Sequence, residues 1–301
     1  MSKGLLAELQ ERILLAEGAM GTMLQNRGLR SGECQEEWNV SHREEIQNVH
    51  AGYLRAGCDL IITNTFGGNR FCLRKFGLED RVGEFNKAGV RIAKEAVNLQ
   101  PSTFNFKPYI LGDVGPTGEF VEPVGTLTFE AMYEIFREQV SALAEAGVDA
   151  FIIETMSDLR EARAATKAAG ETKLPVLVSL SFNPGKKGFR TMMGVDIPAA
   201  VEGLTEAGAD VIGTNCGEVS LKEMTEIIRE MRSLTAKPLL AQPNAGRPTL
   251  VEGKTVYKQS PQEIAAEVGG LKEAGANIIG GCCGTTPEHL ARMAQVVLNN
   301  S

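Results

Sequence analysis

Four segments of the chain share one pattern, and it restricts the fold more than any other feature. They are "RAGCDLIITNT" (55–65), "EAGVDAFIIET" (145–155), "EAGADVIGTNC" (206–216) and "EAGANIIGGCC" (273–283). Each ends a helical pattern with Ala-Gly, a stop that uses glycine's tolerance of the left-handed conformation. One more residue and an Asp or Asn follow, and then a short apolar run. Runs without polar alternation suit strands of a parallel sheet covered by helices. Gly57, Gly147, Gly208 and Gly275 lie 90, 61 and 67 residues apart, room for two strand–helix units between copies.

The gaps supply the missing strands at 13–18, 109–115, 175–182 and 238–244, with helical patterns over 128–146, 157–170 and 220–233. Helix starts are marked by Asp158 three residues before Glu161, by Ser260-Pro261 before Glu263, and by Thr286-Pro287. Eight strands alternating with helices predict a (β/α)8 TIM barrel in a single domain over residues 1–301. An open doubly wound sheet is the alternative, but no G-x-G-x-x-G follows the first strand and no P-loop occurs. The loops 183–194 and 244–261 are long for strand–helix connections and are read as functional.

Charge and hydropathy exclude some functions. The 301 residues carry 31 basic and 38 acidic side chains, a net charge of −7, with no basic cluster of the kind nucleic acid requires. No apolar run approaches the roughly 18 residues of a membrane span, and the first one is short for a signal peptide. The expected location is the cytoplasm, where thiols stay reduced.

Counting seven and eight residues beyond each repeat glycine gives Asn64-Thr65, Glu154-Thr155, Asn215-Cys216 and Cys282-Cys283. All fall at the carboxyl ends of alternate strands, where barrel active sites form. Cys216, Cys282 and Cys283 are therefore candidate neighbours, and three cysteines suit a zinc site with an open fourth position. Zinc would ionise the thiols that bind it, and three thiolates would leave a fourth sulfur electron-rich. Two other readings stand beside this one: simple core packing, or a vicinal-cysteine redox or metal-binding protein without enzyme activity. Adjacent strand residues point to opposite faces, so a shared site needs a turn or bulge that Gly280, Gly281 and Gly284 would permit. Cys34, Cys58 and Cys72 show no ligand spacing. His42, His50 and His289 are assigned surface or capping roles, with His289 as a possible substitute ligand.

The motifs "GAMGT" (18–22), "TNTF" (63–66), "GDVGPTGE" (112–119), "ETMSD" (154–158), "GTNC" (213–216), "QPNAG" (242–246) and "GGCCGTTPEH" (280–289) together resemble the zinc-dependent homocysteine S-methyltransferase family. The resemblance runs from about residue 11 to 295. It is most similar to the homocysteine-binding module of cobalamin-dependent methionine synthase. It implies Zn²⁺ held by Cys216, Cys282 and Cys283, homocysteine as acceptor, and a methylated corrinoid as donor. The D-x-H-x-x-G cobalamin motif and a folate module are absent, so a partner protein is expected to bring the corrinoid. The family pattern further implies that Glu154 holds the substrate amino group, with Glu17 where the family usually has Asp. Backbone N–H groups around Gly18–Thr22 and at Thr65 would bind its carboxylate. Asn244 would sit near the metal, and Asn215 could orient a ligand. Asp113 is either substrate-facing or structural. The longer Glu17 leaves another thiol acceptor open, and a sulfonium donor such as S-methylmethionine is a further alternative. Lys186, Lys187, Arg190, Arg247, Lys254 and Lys258 form a basic rim that would dock the corrinoid protein or merely be solvated.

Overall fold

In the computed structural model, which describes residues 4–99, 107–251 and 254–298, all four repeat glycines are left-handed. Their φ angles are 94°, 81°, 93° and 99° at Gly57, Gly147, Gly208 and Gly275. The Asp or Asn two residues later has an equally regular task. The side chains of Asp59, Asp149, Asp210 and Asn277 accept the backbone N–H of Leu15, Ile110, Val176 and Leu239 at 2.8–3.0 Å. Their own N–H groups donate back to the carbonyls of those same four residues at 2.7–2.8 Å. The repeat is thus a clamp that fastens each even strand to the odd strand before it.

The clamped strands are β1 (Leu14–Leu15), β2 (Leu60–Ile62), β3 (Tyr109–Val114), β4 (Ala150–Met156), β5 (Val176–Leu180), β6 (Val211–Asn215), β7 (Leu239–Gln242) and β8 (Ile278–Ile279). All pair in parallel, in the spatial order β1-β8-β7-β6-β5-β4-β3-β2. A bridge between Ala16 and Leu60, with Glu17 N–H donating to the Leu60 carbonyl at 2.9 Å, closes the ring. The chain is a (β/α)8 barrel, as the spacing predicts, and not an open sheet.

Alternation along the strands divides the core. Leu14, Leu60, Leu111, Ile152, Leu177, Val211, Leu240 and Ile278 fill the barrel interior, and Leu5 and Leu9 of the first helical segment close its base. The opposite strand faces pack against the helices in a second, larger cluster. Burying each such aliphatic side chain contributes about 1.5–3 kcal/mol. Ser260 and Glu263 form the expected capping box. Asp158 caps helix Leu159–Gly170 through Arg160 N–H, but Glu161 does not complete a box. It is buried and accepts instead from the Thr117 N–H and hydroxyl at 2.7 and 2.6 Å. The two long loops each carry a pair of antiparallel strands, Asn183–Gly185 with Gly188–Arg190 and Thr249–Val251 with Lys254–Val256. Among the described residues no helix is long and apolar enough to cross a membrane.

Candidate active site

Strand β8 stops at Ile279, three residues short of Cys282, so the alternation that would separate adjacent cysteines no longer applies. Cys282–Thr285 form a turn in which Thr285 N–H donates to the Cys282 carbonyl at 3.1 Å. Gly284, at its third position, has the positive φ (80°) that a type II turn requires there. Gly281 allows a close approach: a Cβ on it would lie 2.3 Å from Thr285 Oγ1. The turn is tied to the loop after β1, since Thr22 Oγ1 accepts from Gly284 N–H and Thr285 Oγ1 accepts from Ala19 N–H, both at 3.2 Å.

Cys216 follows β6 in the left-handed region, with φ 55°. The sulfurs of Cys216, Cys282 and Cys283 all lie within 4.8 Å of one another, and Cys216 and Cys283 are 3.9 Å apart. Such a trio cannot be three neutral thiols or three free thiolates at equal cost. Hydrogen bonds from Cys216 and Cys282 hold Cys283 down to about 3, and the bond to Cys216 pushes Cys282 well above the usual thiol range. The trio therefore favours placing a thiolate on Cys283, and its donor set and spacing are those that a zinc ion takes.

Asn215 links the cluster to the rest of the mouth. Its Oδ1 accepts from Thr155 N–H and Ser179 Oγ, both at 2.8 Å, which fixes the amide's orientation. Its Nδ2 then donates to Thr155 Oγ1 at 2.8 Å and to the Cys282 sulfur at 3.8 Å. Thr155 has φ 62°, a strained position for a β-branched residue, where the β4–β5 register also shifts. The break in alternation lets both Glu154 and Thr155 line the cavity.

That cavity, about 370 Å³, is lined by Glu17, Gly18, Thr22, Glu154 and all three cysteines, with Asp113, Gln242 and Tyr257 among the others. Among the described residues its lining holds three carboxyl groups and no lysine, arginine or histidine. Burial, followed by the charges of Cys283 and Glu17, raises Glu154 to about 8. Burial and Glu154 likewise raise Asp113 well above the carboxylate range, and its Oδ1 has no partner. Thr65 and Asn244 are buried beside the cavity and are not part of its lining. The Thr65 hydroxyl donates to the Asp113 carbonyl at 2.8 Å, and Asn244 Nδ2 donates to the Gly217 carbonyl at 3.0 Å.

Sequence reasoning overlooked several of these groups. Gln242 stands two residues beyond the interior Leu240, so strand alternation points to it. Tyr257 lies in the long loop after β7; it is hydrogen-bonded to Cys283 and packs over Gly284. His50 is neither surface nor cap: it is fully buried, with Nδ1 3.0 Å from Glu17 Oε2. His289 caps, accepting Thr286 N–H at Nδ1 (3.2 Å) and donating from Nε2 to the Gln259 carbonyl (2.9 Å), which leaves no nitrogen for a metal. On the rim, Arg190 and Arg247 are paired with Asp196 and Glu223, whereas Lys186, Lys187 and Lys258 are exposed. The side chain of Lys254 lies outside the described residues.

Residues 14–297 match the family model described as homocysteine S-methyltransferase. The chain is 31% identical to the methionine synthases of Mycobacterium leprae and Mycobacterium tuberculosis over 97% and 98% of its length. It spans about a quarter of those relatives, 25% of each. The metallated form of the homocysteine methyltransferase MmuM from Escherichia coli superposes with a TM-score of 0.79 at 25% identity. That match covers 95% of this chain and 97% of MmuM.

Proposed function

The chain belongs to the homocysteine S-methyltransferase family, and from that premise we propose that it methylates the sulfur of homocysteine to give methionine, with a methylated corrinoid on a partner protein as donor. One observation carries this reading: three converging thiols face three carboxyl groups in a cavity that has no cationic side chain among the described residues. The wall is made for a ligand that brings its own positive charge, as an amino acid does.

Cys216, Cys282 and Cys283 would hold zinc, and their spacing and thiol donors fit that ion. Bound there, zinc supplies ionisation of the substrate thiol while three thiolate ligands keep its sulfur nucleophilic. The remaining work belongs to the chain. Asn215 steadies Cys282 through its Nδ2. Glu154 and Glu17 receive the ammonium group, and a cation beside Glu154 favours its ionised form, which burial alone disfavours. Backbone N–H groups of the Gly18–Thr22 loop serve the carboxylate, whereas the Thr65 N–H is already given to the Thr63 carbonyl at 2.8 Å. Fixing the acceptor at both ends converts a bimolecular encounter into an oriented one, the main catalytic contribution open to a site that relays no proton. The exposed Lys186, Lys187 and Lys258 offer the rim to the partner.

Methionine formation from homocysteine and free methylcobalamin tests the reading, comparing zinc-loaded wild type with Cys282→Ala. Turnover that needs Cys282 supports it. No turnover by a zinc-loaded wild type overturns it, and faster turnover with S-methylmethionine replaces the donor.

A further inference from the structure

Helix Arg43–Arg55 packs outside the barrel, yet two of its side chains reach the residues around the cavity. Tyr53 bonds to the carbonyls of Ala19 and Thr285 at 3.1 and 3.0 Å, so it holds the loop after β1 against the cysteine turn. His50, one turn earlier on the same face, meets Glu17. With the ring proton on Nδ1, the 3.0 Å contact is Nδ1–H donating to the carboxyl oxygen Oε2. Both side chains are fully buried.

Glu17 Oε1 has no partner, and neither has His50 Nε2. A buried acceptor left without a donor is costly, which marks Oε1 as an oxygen reserved for a ligand. Two more buried acceptors in the cavity lining share that condition, Asp113 Oδ1 and Gln242 Oε1. An ammonium group brings three N–H donors and no acceptor, the complement of such a wall. Glu17 has three rotatable side-chain bonds, and without an anchor its carboxylate would lose conformational entropy each time it met the ligand. One fixed oxygen removes that cost.

We propose that His50 is a positioning residue. By anchoring Oε2 it presents Glu17 Oε1 to the amino group of the acceptor, and so selects amino-bearing thiols over plain alkanethiols. The inference rests on the homocysteine reading and names what enforces it.

The test is calorimetric binding to the zinc-loaded full chain of homocysteine and of 4-mercaptobutanoate, which lacks only the amino group. His50→Leu and Glu17→Gln should each weaken homocysteine about tenfold, equivalent to about 1.4 kcal/mol. Each should leave 4-mercaptobutanoate within about twofold, and the double variant should be no worse than either single one, because the residues act as a unit. Zinc content should not change. Equal weakening of both thiols by His50→Leu would mean a merely structural histidine and would overturn the assignment. If His50→Leu does not fold, His50→Gln, which displaces the donor at similar volume, is judged by the same ratio of Kd values. A wild type that binds neither thiol overturns the homocysteine reading and this assignment together. A wild type that binds homocysteine while the variants keep its preference overturns the assignment alone.

Discussion

At the amino-terminal end of the barrel, Asp59, Asp149, Asp210 and Asn277 each accept one backbone N–H and donate their own. At the carboxyl-terminal end, Glu17, Asp113 and Gln242 are buried, and each keeps an oxygen without a partner. Below, polar groups are satisfied in pairs and hold strands together. Above, acceptors and thiols crowd together, and burial with neighbouring negative charge raises the carboxyl groups of Asp113 and Glu154. The contrast shows how one ring of strands separates stability from chemistry along its axis: the lower end can carry an upper end that is, by itself, unfavourable.

The largest effect that would sharpen this division is at the top. Cys282→Ala should reduce zinc, measured by atomic absorption, from about one per chain to near none. Methyl transfer should fall by more than the roughly 10–100-fold typical of outer-shell changes, while the unfolding midpoint of the metal-free protein should barely move. At the bottom, Asp210→Ala should cost about 1–3 kcal/mol in urea unfolding, since it leaves the Val176 N–H unpaired. Asp210→Asn should cost less, because Asn277 shows that an amide makes the same clamp. Neither should alter the homocysteine Kd, and a change in it would break the separation.

A third, smaller effect concerns pH. The folded chain holds Glu154 at about 8 against an ordinary value of 4.5, so the native state binds the proton more tightly than the unfolded chain does. Stability from this group is therefore present below pH 4.5 and lost as pH rises to about 8. The melting temperature of metal-free wild type should fall relative to Glu154→Gln across that window, and parallel curves would contradict the burial argument. The smallest effect is expected at the rim. Charge reversal at Lys186 and Lys187 should slow transfer from a methylated corrinoid protein by about tenfold or less, in the range of steering effects. Turnover with free methylcobalamin should stay the same, and an unchanged rate with the protein donor would remove the rim from the docking surface.

Much of the lower end is legible in the sequence because its rules are local. A left-handed glycine and an Asp or Asn recur at fixed spacing, and the spacing alone orders the strands. The cysteine trio is legible through the same register. What the sequence conceals depends on contacts between distant segments. Glu161 reads as half of a capping box, but a threonine 44 residues away takes its carboxylate. His50 reads as a surface histidine, although Ile46, Val49, His50, Tyr53 and Leu54 form one buried helical stripe. That 3–4 spacing places it inward, and only its partner, 33 residues earlier, is beyond reach of periodicity. The turn at Cys282–Thr285 is signalled by its glycines, but which loop it grips is decided by the closed ring.

The ring closes through its shortest strands, β1 and β8, each two residues long, with the donors of Cys282 and Cys283 just beyond the seam. Gly281 N–H meets the Glu17 carbonyl at 3.4 Å across 264 positions of sequence. During synthesis, then, the emerging chain carries only one member of its thiol trio, Cys216, until Cys282 and Cys283 have been added 66 and 67 residues later. The three sulfurs meet only once the strand before Cys216 and the strand before Cys282 have both docked on β7 between them, so the trio reports assembly of the last three strands: a barrel stopped short of β8 has one thiol there and not three.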